Sequence, residues 1–365
     1  MKKEKFNSAL KVQQGIEQPP QTNDEAIRNM AGKKSVLPTF NDLFNGISDG
    51  NRVMLSRAIT LIESAKSEHQ EMAQKLIDAC LPASGKSIRI GITGVPGVGK
   101  STFIESFGAF LTDRGKKVAV LAIDPSSQIS KGSILGDKTR MEKLSANPDA
   151  FIRPSPSAGT LGGVARKTRE SIVLCEAAGF DVIIVETVGV GQSETAARSM
   201  VDFFLLLQLP GAGDELQGIK RGIMEMADAI FVNKAEGDNI NKAKLAAAEI
   251  KNALHLMPAH QSGWIVEVGL CSALTNSGID EVWNCISDYV ETTRRSGFFA
   301  NNRQEQEVKR FQQAITDILL ADFKSLPDVN ELSSGLEKKV YESQLSPYAA
   351  AQEIVQRFYE SLKKR

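Results

Sequence analysis

The sequence is poor in the residues from which metal centres and disulfide frameworks are built. It has three histidines, His69, His255 and His260, and no two stand at a metal-ligand spacing, which argues against a zinc, nickel or haem site. Its four cysteines, Cys80, Cys175, Cys271 and Cys285, lie far apart without a CxxC pair. That is the usage of reduced, buried thiols in a cytoplasmic protein rather than of a secreted, cross-linked one. Net charge is lacking too. Lysine plus arginine and aspartate plus glutamate number 44 each, so no global field draws the chain to nucleic acid or to an anionic membrane. Long apolar runs are missing: the stretch 203–209 falls far short of the ~20 residues that span a bilayer. The lysines at the N-terminus are not followed by the apolar segment of a secretory signal. No internal repeat is visible.

What is there divides into four stretches. Residues 1–38 are polar and proline-spotted, without a sustained period, and are expected to form a mobile tail. Within 39–84, Met54, Ala58, Leu61, Ile62 and Ala65, then Met72, Leu76 and Ile77, recur at helical spacing. They predict one or two amphipathic helices ending near Pro82. Over 85–296, short apolar runs at 88–93, 118–124, 151–154, 181–187, 203–209, 229–233 and 265–271 alternate with helical patterns at 100–112, 164–178, 240–256 and 279–293. Nearly continuous apolar strands separated by helices mean an α/β fold: a mostly parallel, doubly wound sheet with N- and C-terminal helical extensions. Over 297–365 the strands stop. Val308, Phe311, Ile315, Ile318 and Leu319 make one helical stripe, and Val355, Phe358, Tyr359 and Leu362 another, with a helix expected between them over 328–345. Such an appendage packs against a second copy or a partner, or folds back on its own domain.

The chemistry is concentrated in a glycine-rich loop. Gly94, Val95, Pro96, Gly97, Val98, Gly99, Lys100 and Ser101 fit GxxxxGK[ST], and Thr102 continues into a helix. The loop follows an apolar strand, the context that gives the pattern its meaning. Glycines let successive N–H groups turn inward around a β-phosphate, and the helix N-terminus adds its positive end. Lys100 brings a mobile charge to the phosphates, and the Ser101 hydroxyl can coordinate magnesium. A second strand ends in Glu186, three residues before Gly189, as a Walker-B strand runs into a γ-phosphate sensor; the plainer reading is a carboxylate capping a strand. Asp124 and Asp137 stand where a first switch is expected, either in the metal shell or as ordinary turn residues.

Two further segments face the base. Asn233-Lys234-Ala235-Glu236 stands where GTPases usually carry NKxD, whose carboxylate accepts hydrogen bonds from guanine N1–H and the 2-amine while the lysine stem covers the ring. Glu236 keeps the carboxylate and adds a methylene; Asp238 lies two residues on. Ser272-Ala273-Leu274 follows the next strand, the usual place for a backbone amide that reads guanine O6. In order behind a phosphate loop, these predict GTP and GDP, with Mg2+, as the bound species, and Lys100, Asp124, Glu186 and Gly189 as the residues of hydrolysis. Val190 follows Gly189, and Gln192 comes only two positions later. Valine cannot polarise a water, so slow solitary hydrolysis is expected.

Beyond these elements, GITGVPGVGKST, LAIDPSS, GSILGDKTRM, VIIVETVGVGQSE, PGAGDELQGIK, NKAEGD and SAL together resemble the G-protein chaperones of methylmalonyl-CoA mutase. These are the bacterial MeaB type and its mitochondrial counterpart, also called ArgK from an older description as an arginine-transport kinase. The resemblance spans about 40–295. It implies a SIMIBI-class P-loop G domain and a homodimer that gates adenosylcobalamin delivery to the mutase and protects it. It also implies Lys100, Ser101, Asp124, Asp137 and Glu186 as phosphate and magnesium residues, and a further switch at 213–220. The family pattern is departed from at Glu236. The chain has no cobalamin-binding DxHxxG, and none of the histidine- or cysteine-rich segments of nickel-delivering relatives. A metallocentre-insertion GTPase and an arginine-type kinase are the competing readings.

Overall fold

Seven strands, every neighbouring pair parallel, run in the order β3–β2–β4–β1–β5–β6–β7. They are β1 (Ile88–Gly94), β2 (Val118–Ile123), β3 (Ala150–Arg153), β4 (Val182–Thr187), β5 (Phe203–Gln208), β6 (Ala229–Val232) and β7 (Glu267–Leu270). The structure is a computed structural model that describes residues 38–64, 66–123, 141–154, 161–187, 193–211, 221–258 and 260–363. The sheet is parallel because each strand is returned by a crossover, and its strands are mostly apolar because helices cover both faces.

On one face lie α1 (Phe40–Ser48), α2 (Arg52–Glu63) and α3 (Ser67–Cys80). The sequence suggested one or two helices here; the structure has three. The breaks are local: Gly50 takes a left-handed φ of 70° and the Asn51 side chain caps α2 by accepting from the Val53 and Met54 amides. On the other face α4 (Lys100–Thr112) lies beside the sheet; α5 (Glu142–Ala146) is a single short turn whose Leu144 presses on Gly108 of α4. The first face is completed by α6 (Leu161–Ala177) and α7 (Ser193–Arg198), while α8 (Arg221–Met226) and α9 (Ile240–Leu254) cover β6 and β7. The short helices α5, α7 and α8 carry no sequence period long enough to announce them.

The second face is closed by α10 (Ile279–Arg295), whose Tyr289 is buried edge-on to Phe203 at 5.1 Å and to Trp264 at 5.5 Å. Strand β7 starts at Glu267, two residues later than its apolar run suggested. The β6 register begins with Ala229 opposite Glu267, and Ile265 before it is 86% exposed. After α10 the chain forms α11 (Phe298–Ser325), α12 (Pro327–Tyr341) and α13 (Pro347–Lys363). The stripe on α11, Val308, Phe311, Ile315, Ile318 and Leu319, is exposed along its length. Among the described residues no helix is long and apolar enough to cross a membrane.

Candidate functional site

The phosphate loop is made where β1 ends beside β5. A Cβ on Gly94 would stand 2.5 Å from the Leu207 carbonyl oxygen, so only glycine fits. Gly97 and Gly99 then take left-handed φ values of 82° and 91°, and Gly99 caps α4, whose first residue is Lys100. Val98 is buried as the anchor of the loop, while Pro96, Gly97 and Thr102 face solvent. The Lys100 ammonium donates to the carbonyls of Gly94 at 2.8 Å and Val95 at 3.4 Å. Burial pulls its pKa below the ordinary lysine range, and the nearby carboxylates of Glu186 and Glu194 oppose that.

Strand β4 delivers Glu186 next to the loop. The Ser101 hydroxyl donates to Glu186 Oε1 at 3.2 Å, and one residue on, Thr187 Oγ1 donates to Thr93 Oγ1 at 2.9 Å, tying the tops of β4 and β1. A hydroxyl and a buried carboxylate are hard oxygen donors, a set that fits a magnesium ion. Asp124, Asp137 and Gly189, the other residues expected here, lie outside the described residues, as does the run 213–220. Sequence reasoning gave no role to Glu194, which is 1% exposed and accepts from the Ser193 hydroxyl at 3.1 Å. Its only trace in the sequence is its place just after the expected γ-phosphate segment.

The base side is organised by Asn233 at the end of β6. Its Nδ2 donates to Val98 O at 2.8 Å, while its Oδ1 accepts the Ala273 amide at 3.1 Å. The Ala273 carbonyl in turn accepts from the Ser106 hydroxyl of α4 at 2.7 Å. Ser272 is buried, its amide donating to Ser277 O at 2.9 Å, and Leu274 projects into solvent. Lys234, held at a φ of 61°, lays its stem along the loop to reach Gly97 O at 2.8 Å. Glu236 Oε2 is buried without a hydrogen-bond partner. Asp238, the other carboxylate in this loop, is exposed in the turn that follows. An unpaired buried acceptor invites a donor, and the N1–H and 2-amine edge of guanine supplies two.

A second polar cluster lies at the opposite ends of the strands. Asp228, fully buried before β6, accepts from Arg198 Nη1 at 2.7 Å and from the Phe204 amide at 2.8 Å, with His260 Nε2 at 3.4 Å from its other oxygen. Burial pushes Asp228 up to about 6 although Arg198 opposes it, and burial together with the Arg198 charge brings His260 down to about 4. A cleft of about 1280 Å³ opens here between α11 and the ends of α7, α8 and α9, away from the phosphate loop.

The sequence model described as "Methylmalonyl Co-A mutase-associated GTPase MeaB" matches residues 55–328. "GTPase ArgK" of Escherichia coli is 49% identical over 271 residues, 74% of this chain and 82% of that one. The mouse "Methylmalonic aciduria type A homolog, mitochondrial" is 45% identical over 326 residues, 87% of this chain and 79% of that one. Among solved structures, that of a "LAO/AO transport system kinase" superposes with a TM-score of 0.70 at 37% identity, covering 89% of this chain and all of the other. The family model covers most of the chain and these relatives match at 45–49% identity, and the chain therefore belongs to the MeaB family of methylmalonyl-CoA mutase-associated GTPases.

Proposed function

We propose that this GTPase is the chaperone of a methylmalonyl-CoA mutase or a related acyl-CoA mutase, and that its GTP cycle gates adenosylcobalamin delivery and protects the mutase from inactivation. The observation that carries the reading is the family match across 55–328, joined to a buried, unpaired Glu236 oxygen at the base position. In this proposal the loop 94–101 holds the phosphates and Lys100 leaves the Gly94 carbonyl for them. Asn233, Lys234, Glu236 and the 272–274 loop hold guanine, with Glu236 rather than the exposed Asp238 meeting N1–H. Ser101 and Glu186, with Asp124 and Asp137, would hold Mg2+, which when bound offsets the negative charge of the phosphates. Gly189 meets the γ-phosphate, and the run 213–220 faces the mutase. The chain works in the cytoplasm as a homodimer, joined along the exposed stripe of α11.

Steady-state GTP hydrolysis with and without the mutase is the test. A slow solitary rate that rises tenfold or more, about 1.4 kcal/mol of barrier, is expected; a rate indifferent to the mutase would overturn the assignment of the client. Because one structural relative is named as a kinase, the same assay is run with arginine and labelled GTP. Phosphoarginine in place of free phosphate would favour that reading instead.

A further inference from the structure

The C-terminal helices are joined to the nucleotide-binding sheet beneath its strands, at the end far from the phosphate loop. Arg303, in the second turn of α11, reaches the starts of β1 and β5. Its Nε and Nη2 donate to the two oxygens of Asp202, each at 2.7 Å. Its Nη1 donates to Gly85 O at 2.6 Å and its Nη2 to Ser87 O at 2.7 Å. The ring of Phe299 lies 4.6 Å from the guanidinium and closes one side of it. The Asp202 side chain is 1% exposed, and it also accepts the Arg89 amide of β1 at 2.8 Å, while its own amide donates back to Arg89 O at 2.8 Å. One turn later, Gln306 Nε2 donates to Val201 O at 2.8 Å.

A planar fork that meets a carboxylate bidentately and two carbonyls besides is specific in direction as well as strong. It fixes the first turns of α11 to the two strands that run, side by side, to the phosphate loop. Between the fork and that loop the packing leaves little slack. Ile90 and Ile92 are fully buried, and Gly91 is pressed so closely on the Phe204 ring that a Cβ there would lie 2.5 Å from it. Packed interiors transmit displacement rather than absorb it. At the upper end stands Lys100, bonded here to Gly94 O, a bond for which a bound phosphate would compete.

We infer that Arg303 is a positioning residue that couples the C-terminal helices to nucleotide occupancy through β1 and β5. Coupling of binding free energies is reciprocal, so whatever moves α11 also shifts nucleotide affinity. Hydrogen exchange of the full-length chain is measured over residues 298–310, without nucleotide and with GDP, and calorimetry follows GDP binding in the same samples. The expected wild-type result is a change in exchange of about threefold or more on GDP binding, on the scale of local opening. Arg303→Gln and Arg303→Lys should both still bind GDP and both lose that change, since one ammonium cannot span four acceptors. Exchange in the wild type that ignores GDP overturns the inference without recourse to either variant. A GDP response that survives in both variants overturns it as well.

Discussion

Asn233 and Val98 are joined across 135 residues by a hydrogen bond of 2.8 Å, from the Asn233 amide nitrogen to the Val98 carbonyl. The same side chain accepts from Ala273, so one buried amide holds the phosphate loop and both base loops in register. Asn233→Ala strands a buried carbonyl and a buried N–H, at about 1–3 kcal/mol. GDP affinity measured by calorimetry should fall roughly 10- to 100-fold, and adenine nucleotides should be no better bound than before.

Lys100→Ala should abolish tight nucleotide binding and leave the thermal midpoint of the nucleotide-free protein unchanged. Among the described residues its ammonium donates to two loop carbonyls, and the charge-assisted contacts it would give to phosphate are worth roughly 1.5–3 kcal/mol. Unaltered GTP affinity would remove the loop from the site.

Glu236→Ala should narrow the preference for GTP over ATP, while Asp238→Ala should leave it alone. The unpartnered oxygen belongs to Glu236, and Asp238 is solvated. Opposite adenine the carboxylate stays unpaired, a mismatch of several kcal/mol. Displacement of a labelled GTP analogue by each nucleotide measures the gap.

Phe311→Glu on α11 should convert a dimer to a monomer in light scattering. Phe311 is 67% exposed in the single chain and lies within the stripe. A charge there costs a shared apolar surface dearly and a solvated one almost nothing. A wild type that is already monomeric would end the dimer proposal.

The cluster below the sheet makes a pH prediction with two opposed parts. His260 titrates near 4 in the folded protein against an ordinary 6.5, so the unfolded chain binds the proton first and stability is lost as pH falls through that window. Asp228, raised from 3.8 to about 6, works the other way: its contribution grows as pH falls from about 6. The wild type should therefore change little on mild acidification. His260→Gln removes only the destabilising part and should gain stability relative to wild type, by about 1–2 kcal/mol between about pH 7 and about pH 4.5, once partial exposure is allowed for. Urea midpoints of the two proteins at the two pH values check it.

The sheet was largely legible because a strand covered on both faces must be largely apolar, as residues 182–185 are. Helix α4 was legible from Lys100 to Thr112 for a similar reason: the glycine loop fixes its start. What escaped was of two kinds. Breaks set by single residues, such as the cap at Asn51, divide a periodic stretch without disturbing its period. Pairs between distant residues leave no local trace at all: Arg198 finds Asp228 thirty positions on, and Arg303 finds Asp202 a hundred and one positions back. Glu236 lay between these cases. Its place in the motif could be read, but its unpaired oxygen comes from the packing of the loop around it.

Arg303 belongs by position to the tail of the chain and by its hydrogen bonds to the sheet. A fragment trimmed after Ser296 would retain every strand, the phosphate loop and both base loops, and would look complete on paper. It would also strip Asp202 of its counter-charge, Arg303. Stranding one partner of such a pair costs about 3–5 kcal/mol, a large part of the 5–15 kcal/mol or so by which a folded domain typically survives. The shortest piece of this protein that folds on its own should therefore extend through Gln306, and fragments ending on either side of that point should differ in soluble yield before they differ in turnover.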